Sequence, residues 1–187
     1  MKIFLVRHGQ TNWNIENRLQ GCVDIPLNKK GIEQAKILAE NIKTLKVDKI
    51  ISSPLSRALD TAKIINEKLQ VSLITNEALI ERSFGVLEGV KGNDYDIDLF
   101  WNVEKNYKYK DIEPIQEFLK RIYKYLNKLV DENPNSNILL VTHNGVNIAT
   151  NCYFKGLPKD KNLLGIKLDN CSYVEYNSDK RIKGVKG

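Results

Sequence analysis

Histidine is the scarcest chemically useful residue in this 187-residue chain, occurring only as His8 and His143. That scarcity excludes three-histidine zinc sites and histidine-rich metal tracts, since any histidine chemistry must use those two. Cysteine occurs three times, as Cys22, Cys152 and Cys171, with no CxxC spacing. A scattered odd number excludes a disulfide framework and a zinc ribbon. It predicts reduced thiols and a cytoplasmic protein. No apolar run approaches the roughly 18 residues needed to span a bilayer, so no membrane partner is expected. The apolar run after Lys2 ends at Arg7, too soon for a signal-peptide core.

The chain is 42% apolar and 28% charged, and its length suits one globular domain over residues 1–187. The net charge of +6 invites a nucleic-acid reading. Lysine, however, supplies most of the positive charge, in short scattered groups without interleaved aromatics. A solvated lysine surface follows, with no nucleic-acid partner; its field draws small anions towards a cleft. Arginine is rarer, and Arg7, Arg18, Arg57 and Arg82 fall in segments that stand out on other grounds.

Buried-strand patterns at 2–6, 49–52, 71–75 and 138–142 alternate with helical periodicity. Helices are expected over 29–46, with Ile32, Ala35, Ala39, Ile42 and Leu45 on one face, and from Pro54 to about Leu69. Further helices are expected from Pro114 to Asn133-Pro134 and from Gly145 to Phe154. Two late strands are expected at 164–168 and 172–176. The stretch 84–112 reads as an irregular excursion with a short helix near Asp98–Glu104. Alternating strand and helix imply an α/β class with a mostly parallel sheet.

His8 follows IFLVR and His143 follows ILLVT, so each ends a buried strand. Ligands bind beyond the carboxyl ends of parallel strands, so the two rings are expected to converge. Gly9 and Gly145 lie within two residues and let backbone approach a ligand closely. Arg7 adjoins His8, and Arg57 follows a third strand on the first turns of a helix. Two guanidinium forks, two imidazoles and helix N-termini suit a phosphate dianion. A neutral imidazole can attack phosphorus, and a carboxylic acid must then protonate the leaving oxygen. Glu81, Glu77 and Glu88 are the candidates for that acid.

The motifs LVRHGQTNWN, LQGCVDIPLNKKGIEQA, SSPLSRALDTA, IERSFGVLEG and LLVTHNGV, in that order, resemble the histidine phosphatases, a superfamily that includes the cofactor-dependent phosphoglycerate mutases. The resemblance implies a three-layer α/β/α sandwich and a phosphohistidine intermediate. It implies that His8 accepts the phosphoryl group, and that Arg7, Arg57, Asn14 and His143 hold the phosphate. It makes Glu81 the proton donor, gives the Asn144 backbone N–H to the phosphate, and puts Thr11 and Gln20 at the pocket mouth. It implies no metal and no cofactor. Leu87 departs from a tryptophan common in phosphatase-type relatives, and Asn144 from a common glycine.

The expected reaction is hydrolysis of a small phosphomonoester. A phosphoglycerate mutase-type phosphotransferase is the alternative, but 90–112 lacks the arginine-bearing insertion associated with mutases. Tyr95, Phe100, Trp101, Tyr107 and Tyr109 in that stretch are expected to cap the pocket. A silent phosphate-binding module would not need the acid. A metal hydrolase would lack HxH or HxxE spacing and would place Arg7 against its cation.

Overall fold

In this computed structural model, residues 1–92, 96–105 and 111–180 are described. In chain order the elements are β1 (Lys2–Arg7), α1 (Asn12–Ile15), α2 (Lys29–Ile42), β2 (Lys49–Ser52), α3 (Ser56–Leu69) and β3 (Ser72–Thr75). Then come α4 (Ile97–Phe100), α5 (Ile115–Glu132), β4 (Ile138–Thr142), α6 (Asn144–Lys155) and β5 (Tyr173–Asn177). The strands form one sheet in the order β3-β2-β4-β1-β5. All neighbours run parallel except the β1–β5 pair.

The two-residue period of a strand explains the layers. Ile3 and Leu5 face one core with Ile138 and Leu140, packed against Phe118, Ile122 and Leu126 of α5 and Val146 and Ala149 of α6. Phe4 and Val6 face the other core with Leu139 and Val141, packed against Leu38 and Ile42 of α2 and Ala58, Ala62 and Ile65 of α3. Both faces are covered, so β1 and β4 read as continuous apolar runs. The result is the expected α/β/α sandwich.

Polar side chains set the helix ends. Asn28 Oδ1 accepts from Gly31 N at 2.8 Å and starts α2. At α3, Asp24 Oδ1 reaches across 32 residues to accept from Ser56 N at 2.7 Å. Asn133 Nδ2 donates to Leu129 O at 2.8 Å and closes α5 before Pro134.

Three expectations are corrected. Helix α2 stops at Ile42, and Ile32 lies off its buried face, 40% exposed. No strand forms over 164–168. The backbone of Leu168 bonds to side chains instead: its N donates to Asn144 Oδ1 at 3.1 Å, and its O accepts from Arg7 Nη1 at 2.7 Å. The short helix is Ile97–Phe100 rather than 98–104. Tyr95, Tyr107 and Tyr109 lie outside the described residues.

Candidate active site

Strands β1 and β4 are neighbours, with Arg7 opposite Thr142. The next residue of each is a histidine, so parallel register alone brings His8 and His143 to one sheet edge. His8 N donates to Thr142 O at 2.9 Å. The imidazole centroids lie 5.2 Å apart, edge to face at 61°.

Their hydrogen bonds fix opposite tautomers. The carbonyl of Gly9 can only accept, so its 2.7 Å contact with His8 Nδ1 places the proton on Nδ1. His8 Nε2 therefore keeps its lone pair. Arg57 Nε can only donate, and it lies 3.2 Å from His143 Nδ1. The proton of a neutral His143 is then on Nε2, which donates to Ser53 Oγ at 2.8 Å. Burial, then the Arg57 charge, holds both imidazoles well below the usual histidine range, so both are neutral at pH 7.

His8 opens onto a cavity of about 200 Å³, lined also by Arg7, Asn14, Gln20, Arg57, Glu81 and Asn144. The Arg7 Nε is buried without a hydrogen-bond partner in the protein. Asn14 Oδ1 accepts from Thr11 N at 3.0 Å and Thr11 Oγ1 at 3.2 Å, which leaves Nδ2 as its free end. Arg57 is wholly buried; its Nη1 and Nη2 donate to Val23 O at 2.8 Å and Gly21 O at 2.7 Å. Arg18 and Lys167 add positive charge to the lining. The N-terminus of α6 points at this cavity, with the favourable end of its dipole towards an anion.

Glu81 faces the same cavity, 8% exposed. Its Oε1 accepts from Arg82 N at 2.8 Å and its Oε2 from Gly145 N at 3.0 Å. Burial pushes its pKa above the usual carboxyl range, outweighing those two N–H groups and the charges of Arg57 and Arg7. Glu77 and Glu88 do not line the cavity. Phe84 and Trp101 do, so the 84–112 stretch supplies part of the wall. A larger groove of about 590 Å³ runs between α5 and β3, but contains neither histidine nor Glu81.

Two expected site residues, His143 as a phosphate ligand and Thr11 at the pocket mouth, are not among the residues lining the cavity. His143 is wholly buried behind the cavity, both nitrogens engaged within the protein, so it does not line the phosphate space. Thr11 is wholly buried as the N-cap of α1, behind Asn14 rather than at the mouth. Four supporting residues were missed. Ser53 orients His143, and Leu168 O holds Arg7. Thr61 Oγ1 accepts from Gly9 N at 3.0 Å, and Asn170 Nδ2 donates to His8 O at 2.9 Å. Only Ser53 had a local signal, as the serine next to Pro54 at the end of β2.

Among the described residues no three of His, Cys, Asp and Glu come together to hold a metal ion. A nucleophilic imidazole, a raised carboxyl and a cationic anion cradle define a phosphoryl-transfer enzyme that works through histidine. The family model of the histidine phosphatase superfamily (branch 1) matches residues 3–185, and the chain belongs to that superfamily. It is similar to the uncharacterized phosphatase PhoE of Bacillus subtilis, 34% identical over 97% of this chain and 92% of that one. A probable phosphoglycerate mutase GpmB of Enterobacter is 35% identical over 92% and 82% of the two chains. The solved phosphoserine phosphatase of Entamoeba histolytica, in complex with 3-phosphoglyceric acid, superposes with a TM-score of 0.80. It is 31% identical, covering 93% of this chain and 89% of that one. The chain is a metal-independent phosphatase acting on phosphomonoesters.

Proposed function

We propose that the substrate phosphate enters the cavity as a dianion held by the Arg7 fork, Asn14 Nδ2, Arg57 and the Asn144 N–H. His8 Nε2 then attacks phosphorus in line, and the ester P–O bond breaks. Glu81 gives its proton to the leaving oxygen. Its carboxylate next takes a proton from water, which attacks the phosphohistidine; the P–N bond breaks and inorganic phosphate leaves. His143 positions Arg57 and packs against the nucleophile. The observation that carries this reading is the unprotonated Nε2 of His8 in the same small cavity as a carboxyl held above its ordinary pKa.

The substrate is a small metabolite, and Arg18 and Lys167 favour an ester whose alcohol bears a further negative charge. The stretch 84–112 caps the site, and the reaction takes place in the reducing cytoplasm, where Cys22, Cys152 and Cys171 stay unpaired. Quenched turnover is expected to trap an acid-labile, base-stable phosphoenzyme, absent from His8→Ala; normal turnover by that variant overturns the assignment. The mutase reading has support in the GpmB resemblance. Supplying 3-phosphoglycerate with 2,3-bisphosphoglycerate separates the two. Release of inorganic phosphate marks the phosphatase, and formation of 2-phosphoglycerate marks the mutase.

A further inference from the structure

Arg121 lies outside the active-site cavity, yet it grips the loop that carries the acid. From α5, its Nη1 donates to the carbonyls of Ala78 at 2.8 Å and Ile80 at 3.0 Å, just before Glu81. Its Nε and Nη2 form a two-pronged ion pair with Glu113, at 2.9 and 2.8 Å. Glu113 in turn holds the residues just after Glu81. Its N–H donates to Ser83 O at 3.1 Å, and its own carbonyl accepts from Arg82 Nε at 2.8 Å. Arg82 is wholly buried, and its Nη1 donates onward to Phe100 O. Its guanidinium carbon lies 5.3 Å from the Trp101 ring centroid and 5.8 Å from that of Phe84, both rings of the cavity wall.

The side chains of Arg121, Glu113 and Arg82 hold the chain on both sides of Glu81 without bonding to its carboxyl. We propose that Arg121, Glu113 and Arg82 are positioning residues that fix the Glu81 carboxyl against the leaving-group oxygen and dock the Phe84 and Trp101 rings of the cavity wall beside it. The proposal rests on Glu81 being the proton donor.

The chemistry favours this role over simple stabilisation. Well-packed apolar side chains can replace a buried ion pair with little loss of stability. They cannot hold four backbone carbonyls in three segments, which the two arginine forks do between them, Arg121 at Ala78 and Ile80 and Arg82 at Glu113 and Phe100. Proton transfer also needs its donor within hydrogen-bond reach, so a small loop shift is costly.

The test compares two esters. The leaving group of p-nitrophenyl phosphate departs without a proton, whereas that of glycerol 2-phosphate needs one. Arg121→Gln, Glu113→Gln and Arg82→Lys are expected to lose about tenfold or more in kcat/KM on glycerol 2-phosphate, a part of the 10²–10⁴-fold that acid catalysis supplies. The kcat/KM for p-nitrophenyl phosphate, which reads only the steps through phosphohistidine formation, and inhibition by inorganic phosphate should stay within about twofold of wild type, since those steps do not draw on the acid. The alkaline limb of the pH profile should move to lower pH, because a loosened Glu81 is better hydrated. The Arg121 and Glu113 side chains are 27% and 20% exposed, so those two variants keep the test open if Arg82→Lys fails to fold.

Equal loss of kcat/KM on both esters, weakened phosphate inhibition, or no loss on either overturns the proposal. Glu81→Gln is the control. If it shows no leaving-group dependence, the acid assignment itself fails. If it does and the other variants do not, only the positioning proposal fails.

Discussion

Glu81 Oε2 accepts a hydrogen bond from the backbone N–H of Gly145 at 3.0 Å, so the acid is seated on the first turn of the helix that follows His143. The proposed proton donor and His143 are thereby tied to one element. A β-carbon at Gly145 would lie 2.1 Å from Glu81 Oε1 and 3.0 Å from the Trp101 ring. Backbone propensity favours alanine over glycine in a helix by about 1 kcal/mol. Gly145→Ala is therefore expected to melt near the wild-type temperature while displacing the carboxyl. Turnover of an alkyl phosphate should fall by about 10²-fold, the lower end of what a general acid supplies. Steady-state kinetics beside a melting curve check this, and unchanged turnover would contradict it.

Arg57 makes three hydrogen bonds that an ammonium cannot reproduce together, to Gly21 O, Val23 O and His143 Nδ1. Lysine would keep the charge but lose the fork. Each buried acceptor left unpaired costs about 1–3 kcal/mol. Arg57→Lys should lower the urea-unfolding free energy by about 2–4 kcal/mol, allowing some rescue by water. It should also raise the inhibition constant of inorganic phosphate by about tenfold or more, because planar bidentate contact is lost. A variant as stable as wild type, with unchanged phosphate affinity, would show that the fork is dispensable.

The features readable in the sequence are those with a local pattern. Apolar runs ending in RHG and THN marked β1 and β4, and parallel pairing then placed His8 beside His143. The features that escaped are bonds between side chains and distant backbone. Arg7 to Leu168 spans 161 residues and Asn170 to His8 spans 162, and no periodicity encodes either. The same bonds explain why 164–168 looks like a strand but is not one: side chains of the active site occupy the backbone groups of Leu168. Ile32 fits the helical period of α2 but sits at the edge of its buried face, exposed beside the buried Gly31. Charge and position in the sequence make His143 an expected phosphate ligand; only the contacts with Arg57 and Ser53 show that both nitrogens are occupied.

Ser53 gives a separate handle on His143. Its hydroxyl oxygen lies 2.8 Å from Nε2, and both residues are wholly buried. Ser53→Ala strands a buried N–H, at a cost of about 1–3 kcal/mol. The ring is then free to exchange tautomers and release Arg57. The expected outcome is a lower melting temperature and weaker phosphate inhibition. Restoration by Ser53→Thr, which returns the hydroxyl, would separate the hydrogen bond from side-chain volume. Loss of stability with phosphate inhibition intact would confine Ser53 to a structural role.

The buried histidines also set how stability responds to acid. Burial, then Arg57, holds the folded pKa of both His8 and His143 well below the unfolded value of about 6.5. Below that value the unfolded chain binds protons that the folded chain does not, so stability falls as pH falls. One proton of difference is worth about 1.4 kcal/mol per pH unit, so the pair gives a slope approaching ~2.8. Glu81 has the opposite sign. Its folded pKa is raised above its ordinary value of 4.5, so its contribution is full below that value and is lost as pH rises through the folded pKa. It offsets one proton where it titrates. Urea unfolding at about pH 7, 6 and 5 should therefore show a steep loss that His8→Asn reduces by about 1.4 kcal/mol per pH unit and Glu81→Gln steepens. A slope untouched by His8→Asn would mean that His8 titrates in the folded protein as it does in the unfolded chain.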